Sequence, residues 1–200
     1  IKKILEEKTG LPVKIANDAN AAALGEAKLG AGKDYPTSIM ITLGTGVGGG
    51  IVLDGKLFEG NEGKGAELGH ITLVLNGRRC GCGRRGCFEQ YASATGIVRL
   101  AKRKLAVTDK ATVLNAETVS AKDVFDAVKD GDEVAIEVAK QFGTYLGHAL
   151  ANIAALVDPQ VFVIGGGVSK AGEVLFDYIK EPYMDKAFFA DKDVKFALAE

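Results

Sequence analysis

The sequence predicts an α/β protein, and three observations carry that reading. The runs SIMITLG at 38–44 and VFVIGGG at 161–167 are continuously apolar over strand length and end in glycine, as buried central strands can. A long helical pattern over 132–157 leads through Asp158-Pro159 into the second run, and a further helical pattern follows, the order of an α/β unit. The glycines stand at C-terminal strand ends, where open α/β sheets place their ligands.

Residues 1–10 read as the end of a helix, with Ile1, Ile4 and Leu5 on one face and Gly10 as its stop, so an N-terminal portion is expected upstream. Residues 13–16 read as a short strand, and Asp18 stands where its carboxylate can cap the Ala-rich helix AAALGEAKLG. After the strand at 38–44, GGGIVLDGKLFEG reads as a hairpin turning at Asp54-Gly55. The stretch 60–87 has no periodicity and reads as a loop region held by something other than an apolar core. Helical patterns resume in FEQYASATGIVRLAKRKL and, after SAKD, in VFDAVKDG. Beyond 161–167 a helix is expected from about Ser169, and VKFALAE reads as a strand whose continuation is missing.

With 47% hydrophobic residues, 25 basic against 26 acidic side chains and a net charge of −1, the 200 residues suffice for one substantial core and part of a second, which argues against disorder. The balanced charge argues against a broad nucleic-acid or membrane surface, since both need Lys and Arg gathered on one face. Small molecules or further copies of the chain are the expected partners. No run approaches the roughly 18 apolar residues of a membrane span. The opening IKKILEEKTG is too charged for a secretory signal, so a cytoplasmic protein is expected.

The three cysteines, Cys80, Cys82 and Cys87, are an odd number within eight positions, which a disulfide framework explains poorly. With His70 they offer one imidazole and three thiolates, the donor set of a closed, structural tetrahedral zinc site, and Gly77, Gly81, Gly83 and Gly86 allow the loop to wrap a small ion. The competing reading is three unrelated thiols. A redox role is disfavoured, because no Cys-x-x-Cys pair is present. Glu67 precedes His70 by three positions, and a helical turn there would put both side chains on one face. Glu89 follows Cys87 by two. Two carboxylates tied to one metal loop would form a rigid acceptor pair for the hydroxyls of a polyol or sugar; taken singly, each glutamate reads more readily as a solvated surface residue than as a ligand group.

Asn17-Asp18 follows the strand expected at 13–16, where an amide and a carboxylate can orient a hydroxyl and the carboxylate can accept its proton; the alternative is that Asp18 only caps the helix. Gly44-x-Gly46-x-x-Gly49 formally matches a dinucleotide fingerprint, but its glycines run into a hairpin strand and not into a helix. A strand-glycine-strand turn can still aim backbone N–H groups and the Thr45 hydroxyl at phosphate oxygens, or it can be a tight hairpin without a ligand. Gly165, Gly166 and Gly167 end a buried strand, which allows a flat adenine or ribose against the backbone, or simply a strand-to-helix turn. His148 reads as a packed helical histidine.

Taken together, NDANAAALGE, LGTGVGGGIV, GAELGH, CGCGRRGCFEQYAS and VFVIGGGVS, in this order across nearly the whole chain, resemble the ROK family of sugar kinases and related repressors. The resemblance implies an α/β, actin-like ATPase (ribonuclease-H-like) fold of two domains closing over a sugar, with Mg·ATP reaching it across the cleft. Residues 1–22 would be the edge of the small domain, and 23–200 the large one. It implies Asp18 as catalytic base toward the sugar's 6-hydroxyl, and Asn17, Asp18, Glu67, His70 and Glu89 as sugar contacts. His70 would bind zinc through one ring nitrogen, together with Cys80, Cys82 and Cys87. Gly44, Thr45 and Gly46 match a second phosphate loop, and Gly165, Gly166 and Gly167 the adenosine motif. The family's first phosphate loop, an Asp-x-Gly-Gly-Thr pattern that helps hold Mg²⁺, is expected upstream, so the 200 residues alone are expected to be a poor kinase.

CGCGRRGCFEQYASATG is similar to the bacterial glucokinase branch, which implies ATP-dependent phosphorylation of a hexose with glucose favoured. N-acetylmannosamine, fructose and allose are the alternative substrates, and a sugar-responsive repressor sharing the sugar and zinc sites is the alternative function. The LGTGVGGG loop favours the kinase, since a repressor has no need to cradle ATP phosphates. A homodimer or homotetramer is implied by the family alone.

Overall fold

The computed structural model describes residues 1–13, 15–188 and 193–200. Its centre is a five-stranded mixed sheet in the order β3-β2-β1-β4-β5, built from β1 (Ser38–Leu43), β2 (Val47–Leu53), β3 (Lys56–Leu57), β4 (Val161–Gly165) and β5 (Lys195–Leu198). β1 pairs antiparallel with β2 and parallel with β4, which pairs parallel with β5. The hairpin turns at Asp54 and Gly55, whose φ of 49° and 73° are the left-handed pair such a two-residue turn requires.

Side-chain alternation along β1 divides the molecule into layers. Ile39, Ile41 and Leu43 enter the main core with Val47, Ile51, Phe162 and Ile164. Against them pack α4 (Ala94–Leu105), α5 (Ala121–Lys129), α6 (Glu133–Val157) and α7 (Val174–Lys186). Pro182 lies inside α7 and supplies no N–H to the Tyr178 carbonyl one turn back. Gly143 of α6 meets that carbonyl so closely that a Cβ there would stand 2.0 Å from it.

The opposite face of the sheet carries α2 (Asp18–Leu29), and glycines set how near it comes. A Cβ at Gly50 would lie 2.4 Å from the Ala23 methyl, and one at Gly48 2.5 Å from Thr42 Oγ1 and 3.2 Å from the Ala19 methyl. Gly49 points to the other side, where a Cβ would meet Leu68 at 2.6 Å. The run Gly48-Gly49-Gly50 is therefore strand, and it serves helix and turn packing. At the far end of α2, the buried Glu26 carboxylate accepts the Ala31 and Glu200 N–H groups at 3.0 and 3.1 Å, which answers its burial with two donors.

Four expectations are corrected. Asn17, not Asp18, caps α2, its Oδ1 accepting the Asn20 N–H at 3.1 Å, because Asp18 already has the helical conformation of the first turn. Of the strand expected at 13–16, Lys14 lies outside the described residues, and Val13, Ile15 and Ala16 belong to no strand. The helix expected through 88–105 breaks at Ser93, which turns extended (ψ 171°) and caps α4 through Gly96 N–H, leaving a four-residue α3 (Glu89–Ala92). The segment after β4 begins as a 3₁₀ turn, Gly167–Ala171, and α7 follows only after Gly172 (φ 87°). The first helix, α1 (Lys2–Thr9), ends at Gly10 as expected, but Ile1, Ile4 and Leu5 are exposed.

Gly50→Ala is expected to lift α2 and destabilise the fold by about 1–3 kcal/mol in urea unfolding. Gly25→Ala, in the same helix with open space around it, should instead stabilise by about 0.5–1 kcal/mol. Burial, reinforced by Lys186, holds the His148 pKa below its ordinary 6.5. The unfolded chain then binds this proton first, so stability falls as pH drops through 6.5 toward the folded value. Thermal melts of His148→Gln should lose that segment of the pH slope.

Candidate active site and metal centre

Two clefts open at the C-terminal ends of β1 and β4 and share one wall. The larger, ≈ 530 Å³, is lined by Asp18, Thr42, Gly44, Gly46, Glu89 and Gly166, among others. The smaller, ≈ 190 Å³, is lined by Asn17, Asp18, Asn20, Gly65, Ala66 and Glu67, among others. Asp18, Ala19, Val47 and Gly48 belong to both. Asp18 therefore stands between a polar pocket of small-molecule size and a glycine-lined cleft, carried there by the close seat of α2 on β2. Its Oδ1 accepts its neighbour Ala19's N–H at 2.8 Å.

The loop between β1 and β2 is held from behind by α4. Ala94 N–H donates to the Gly44 carbonyl at 2.8 Å, and the Thr95 hydroxyl to the Thr45 carbonyl at 2.8 Å. Across a trans peptide C=O and N–H point oppositely, so the Thr45 and Gly46 N–H groups face away from α4. Among the described residues neither has an acceptor. A Cβ at Gly46 would meet Glu89 Oε2 at 2.2 Å, so a side chain there would push the Glu89 carboxylate out of its place. Of the second glycine cluster, Gly166 (φ 86°) lines the larger cleft, with room for only a hydrogen beside the Leu43 carbonyl. Gly165 lies within β4. Gly167 lines a third, mainly apolar pocket of ≈ 350 Å³ with Ala94, Ser120, Phe125, Val168 and Lys170.

His70, Cys80, Cys82 and Cys87 converge, their ligand atoms all within 4.8 Å of one another. His70 Nδ1 lies 3.7 Å from Cys80 Sγ, and Cys82 Sγ 3.6 Å from Cys87 Sγ. A tetrahedron with metal–sulfur bonds of about 2.3 Å and metal–nitrogen bonds of about 2.0 Å has edges of about 3.5–3.8 Å, so the four side chains fit a zinc-sized ion. Burial, with the neighbouring thiols, pushes the Cys87 pKa up to about 12, whereas the Arg84 backbone N–H draws that of Cys82 down. Gly86 (φ 77°) lies where a Cβ would strike the Val74 carbonyl, Gly77 is pressed by the Tyr91 hydroxyl, and Gly83 has φ 89°. Gly81 has open space around it.

The metal cluster touches the larger cleft through one carboxylate. The Cys80 thiol is 3.6 Å from Glu89 Oε1, while Glu89 Oε2 accepts the Val47 N–H at 3.3 Å. Glu67 and Glu89, expected as one acceptor pair, line different clefts on either side of the shared wall. Glu67 follows Ala66, a non-glycine residue at φ 61°, and precedes the 3₁₀ turn Leu68–His70. Sequence reasoning missed three supports. The Tyr91 hydroxyl accepts the Arg78 N–H at 2.8 Å, Gln90 Nε2 donates to Glu89 Oε1 at 3.4 Å, and Arg99 Nη1 holds Gln90 Oε1 at 3.0 Å. Helical spacing of Tyr91 and Arg99 reads only as core and surface. Likewise, nothing in VFDAVKDG separates Phe125 as pocket wall from Phe125 as core.

A glycine-lined cleft at the strand ends, abutting a small polar pocket and a Cys₃His cluster, defines an α/β protein with a two-part cleft beside a candidate metal centre. The model of the ROK family matches residues 1–197, and the chain belongs to that family, with the actin-like ATPase fold of its sugar kinases. It is 47% identical over 193 residues to a glucokinase of Halalkalibacterium halodurans, covering 92% of this chain and 57% of that protein. Among solved structures, a ROK glucokinase from Streptomyces griseus in complex with glucose and AMPPNP superposes with a TM-score of 0.89 at 39% identity, over 99% of this chain and 66% of that one. A ROK transcriptional regulator homologous to the E. coli MLC protein reaches 0.87 at 35%, over all of this chain and 50% of that one. The chain thus spans less than two thirds of the length of these relatives. Among the described residues no helix is long and apolar enough to cross a membrane.

On metal titration the chain is expected to take up one zinc ion through His70, Cys80, Cys82 and Cys87. Cys82→Ser should yield the ion to a chelator that the unmodified chain resists.

Proposed function

We propose that the complete protein is an ATP-dependent hexose kinase with glucose as the favoured substrate, and that Asp18 is its general base. The observation that carries this reading is the position of Asp18 on the wall common to the two clefts, between Asn17 and Glu67 on one side and Gly44 and Gly46 on the other. In the proposed step the Asp18 carboxylate takes the proton of the sugar's 6-hydroxyl. That oxygen forms a bond to the γ-phosphorus of ATP, the bond from phosphorus to the bridging oxygen breaks, and ADP leaves. Such a step depends on alignment and on donors facing the phosphoryl oxygens more than on unusual acidity.

Asn17, Glu67, His70 and Glu89 are assigned to the sugar hydroxyls, the N–H groups of Thr45 and Gly46 to phosphate oxygens, and Gly165, Gly166 and Gly167 to the adenosine. The apolar pocket beside Gly167, with Phe125 and Val168, is of a chemistry that suits the base. Zinc held by His70, Cys80, Cys82 and Cys87 would act structurally, fixing the loop that bears Glu89. Mg²⁺ would arrive with the nucleotide. Residues 1–22 are assigned to a small domain and 23–200 to a large one, with α2 running unbroken across residue 22, so that Asp18 rides on an element common to both. A sugar-responsive repressor, the function of some relatives, would use the polar pocket without the donor-lined loop.

The test is a coupled assay of the complete protein with Mg·ATP against glucose, N-acetylmannosamine, fructose and allose. Turnover of glucose in preference to the others is expected. Asp18→Ala should lower kcat by about 10²–10⁴-fold while glucose still raises its melting temperature. Absence of turnover with every sugar, alongside retained thermal stabilisation by sugar, would move the assignment to the repressor.

A further inference from the structure

We infer that Thr95 is a positioning residue for phosphoryl transfer, holding the Thr45–Gly46 peptide so that its N–H faces the cleft; this rests on the kinase reading above. A glycine-flanked loop is free to rotate its peptide planes, and a rotation of about 180° would present a carbonyl oxygen where a donor is needed. Two bonds from the start of α4 oppose that rotation. Ala94 N–H fixes the Gly44–Thr45 peptide, and the Thr95 hydroxyl fixes the Thr45–Gly46 peptide, each at 2.8 Å. Only the second comes from a side chain, so it can be removed by a substitution that leaves the backbone unchanged.

The front of the loop offers no substitute. Gly44 N–H is spent on the Gly46 carbonyl at 3.0 Å, a bond that does not restrain the Thr45 carbonyl. Glu89 Oε2, the carboxylate oxygen nearest Gly46, accepts from Val47. A flip of the Thr45–Gly46 peptide would turn its carbonyl away from α4, and the γ-phosphoryl would meet an oxygen lone pair in place of a hydrogen. Because Ser93 caps α4 and is itself buried, the helix start that carries Thr95 is a fixed platform.

The experiment compares the complete wild-type protein with Thr95→Val and Thr95→Ser. Removing one well-placed donor from an anion-stabilising site costs about 10²–10³ in kcat, and a peptide freed to alternate should cost less, about tenfold. Thr95→Val is therefore expected to lose about tenfold in kcat with KM for glucose, zinc content and melting temperature unchanged, and Thr95→Ser to regain kcat to within about twofold. Wild-type kcat in Thr95→Val, or equal impairment in Thr95→Ser, overturns the inference. If the wild type turns over no sugar, the kinase reading fails separately, and the inference is then decided by titration with AMPPNP. Binding weakened in Thr95→Val and restored in Thr95→Ser supports it; unchanged binding, or no binding to the wild type, overturns it.

Discussion

The site depends on the distance between one helix and one strand. Asp18 is exposed at the first position of α2, and the Ala19 N–H bond to its own Oδ1 does not by itself hold it over the clefts. What holds it is the approach of α2 to β2, which exists because Gly48 and Gly50 present no side chains to Ala19, Thr42 and Ala23. Small residues on both surfaces convert a helix-on-sheet contact into near contact of backbones. The register of β1 against β2, with Thr42 opposite Gly48 and Met40 opposite Gly50, then fixes where along the sheet the helix rests.

A second part of the molecule is held by different means. Between β3 and α3 the chain runs for some thirty residues with two isolated bridges, one 3₁₀ turn and little apolar burial. Its order comes from convergence of His70 and three cysteines, from the Tyr91 hydroxyl bound to the Arg78 N–H, and from glycines that let Val74, Gly77 and Gly86 touch. A metal ion held by these four side chains would crosslink the segment in place of a core and brace Glu89, which follows Cys87 by two residues, at the cleft.

Much of this architecture was legible in the sequence, for identifiable reasons. β1 and β4 are apolar on both faces because both are covered, and that leaves an unbroken run; the Asp54-Gly55 turn and the Cys/His spacing are signals within a few residues of one another. What was not legible depends on partners far along the chain. Gly48, Gly49 and Gly50 read as part of a phosphate loop because the Ala19, Ala23 and Leu68 that crowd them are remote in sequence. The break at Ser93 hides inside a good helical pattern, and the cap expected at Asp18 falls to Asn17 because the helix starts one residue earlier than the Ala-rich run suggests. Phe125 and Gln90 belong to the pocket and to the support of Glu89 only once three helices have met.

The buried Glu26 gives the chain an order of completion. One of its two donors, Ala31, is made five residues later, but the other, Glu200, is 174 residues away. On a ribosome α2 could form early, yet its last turn would hold a carboxylate with half its partners until β5 docked beside β4. Sealing of that carboxylate, and with it full protection of the end of α2 from solvent exchange, is therefore tied to β5, which is made long after α2.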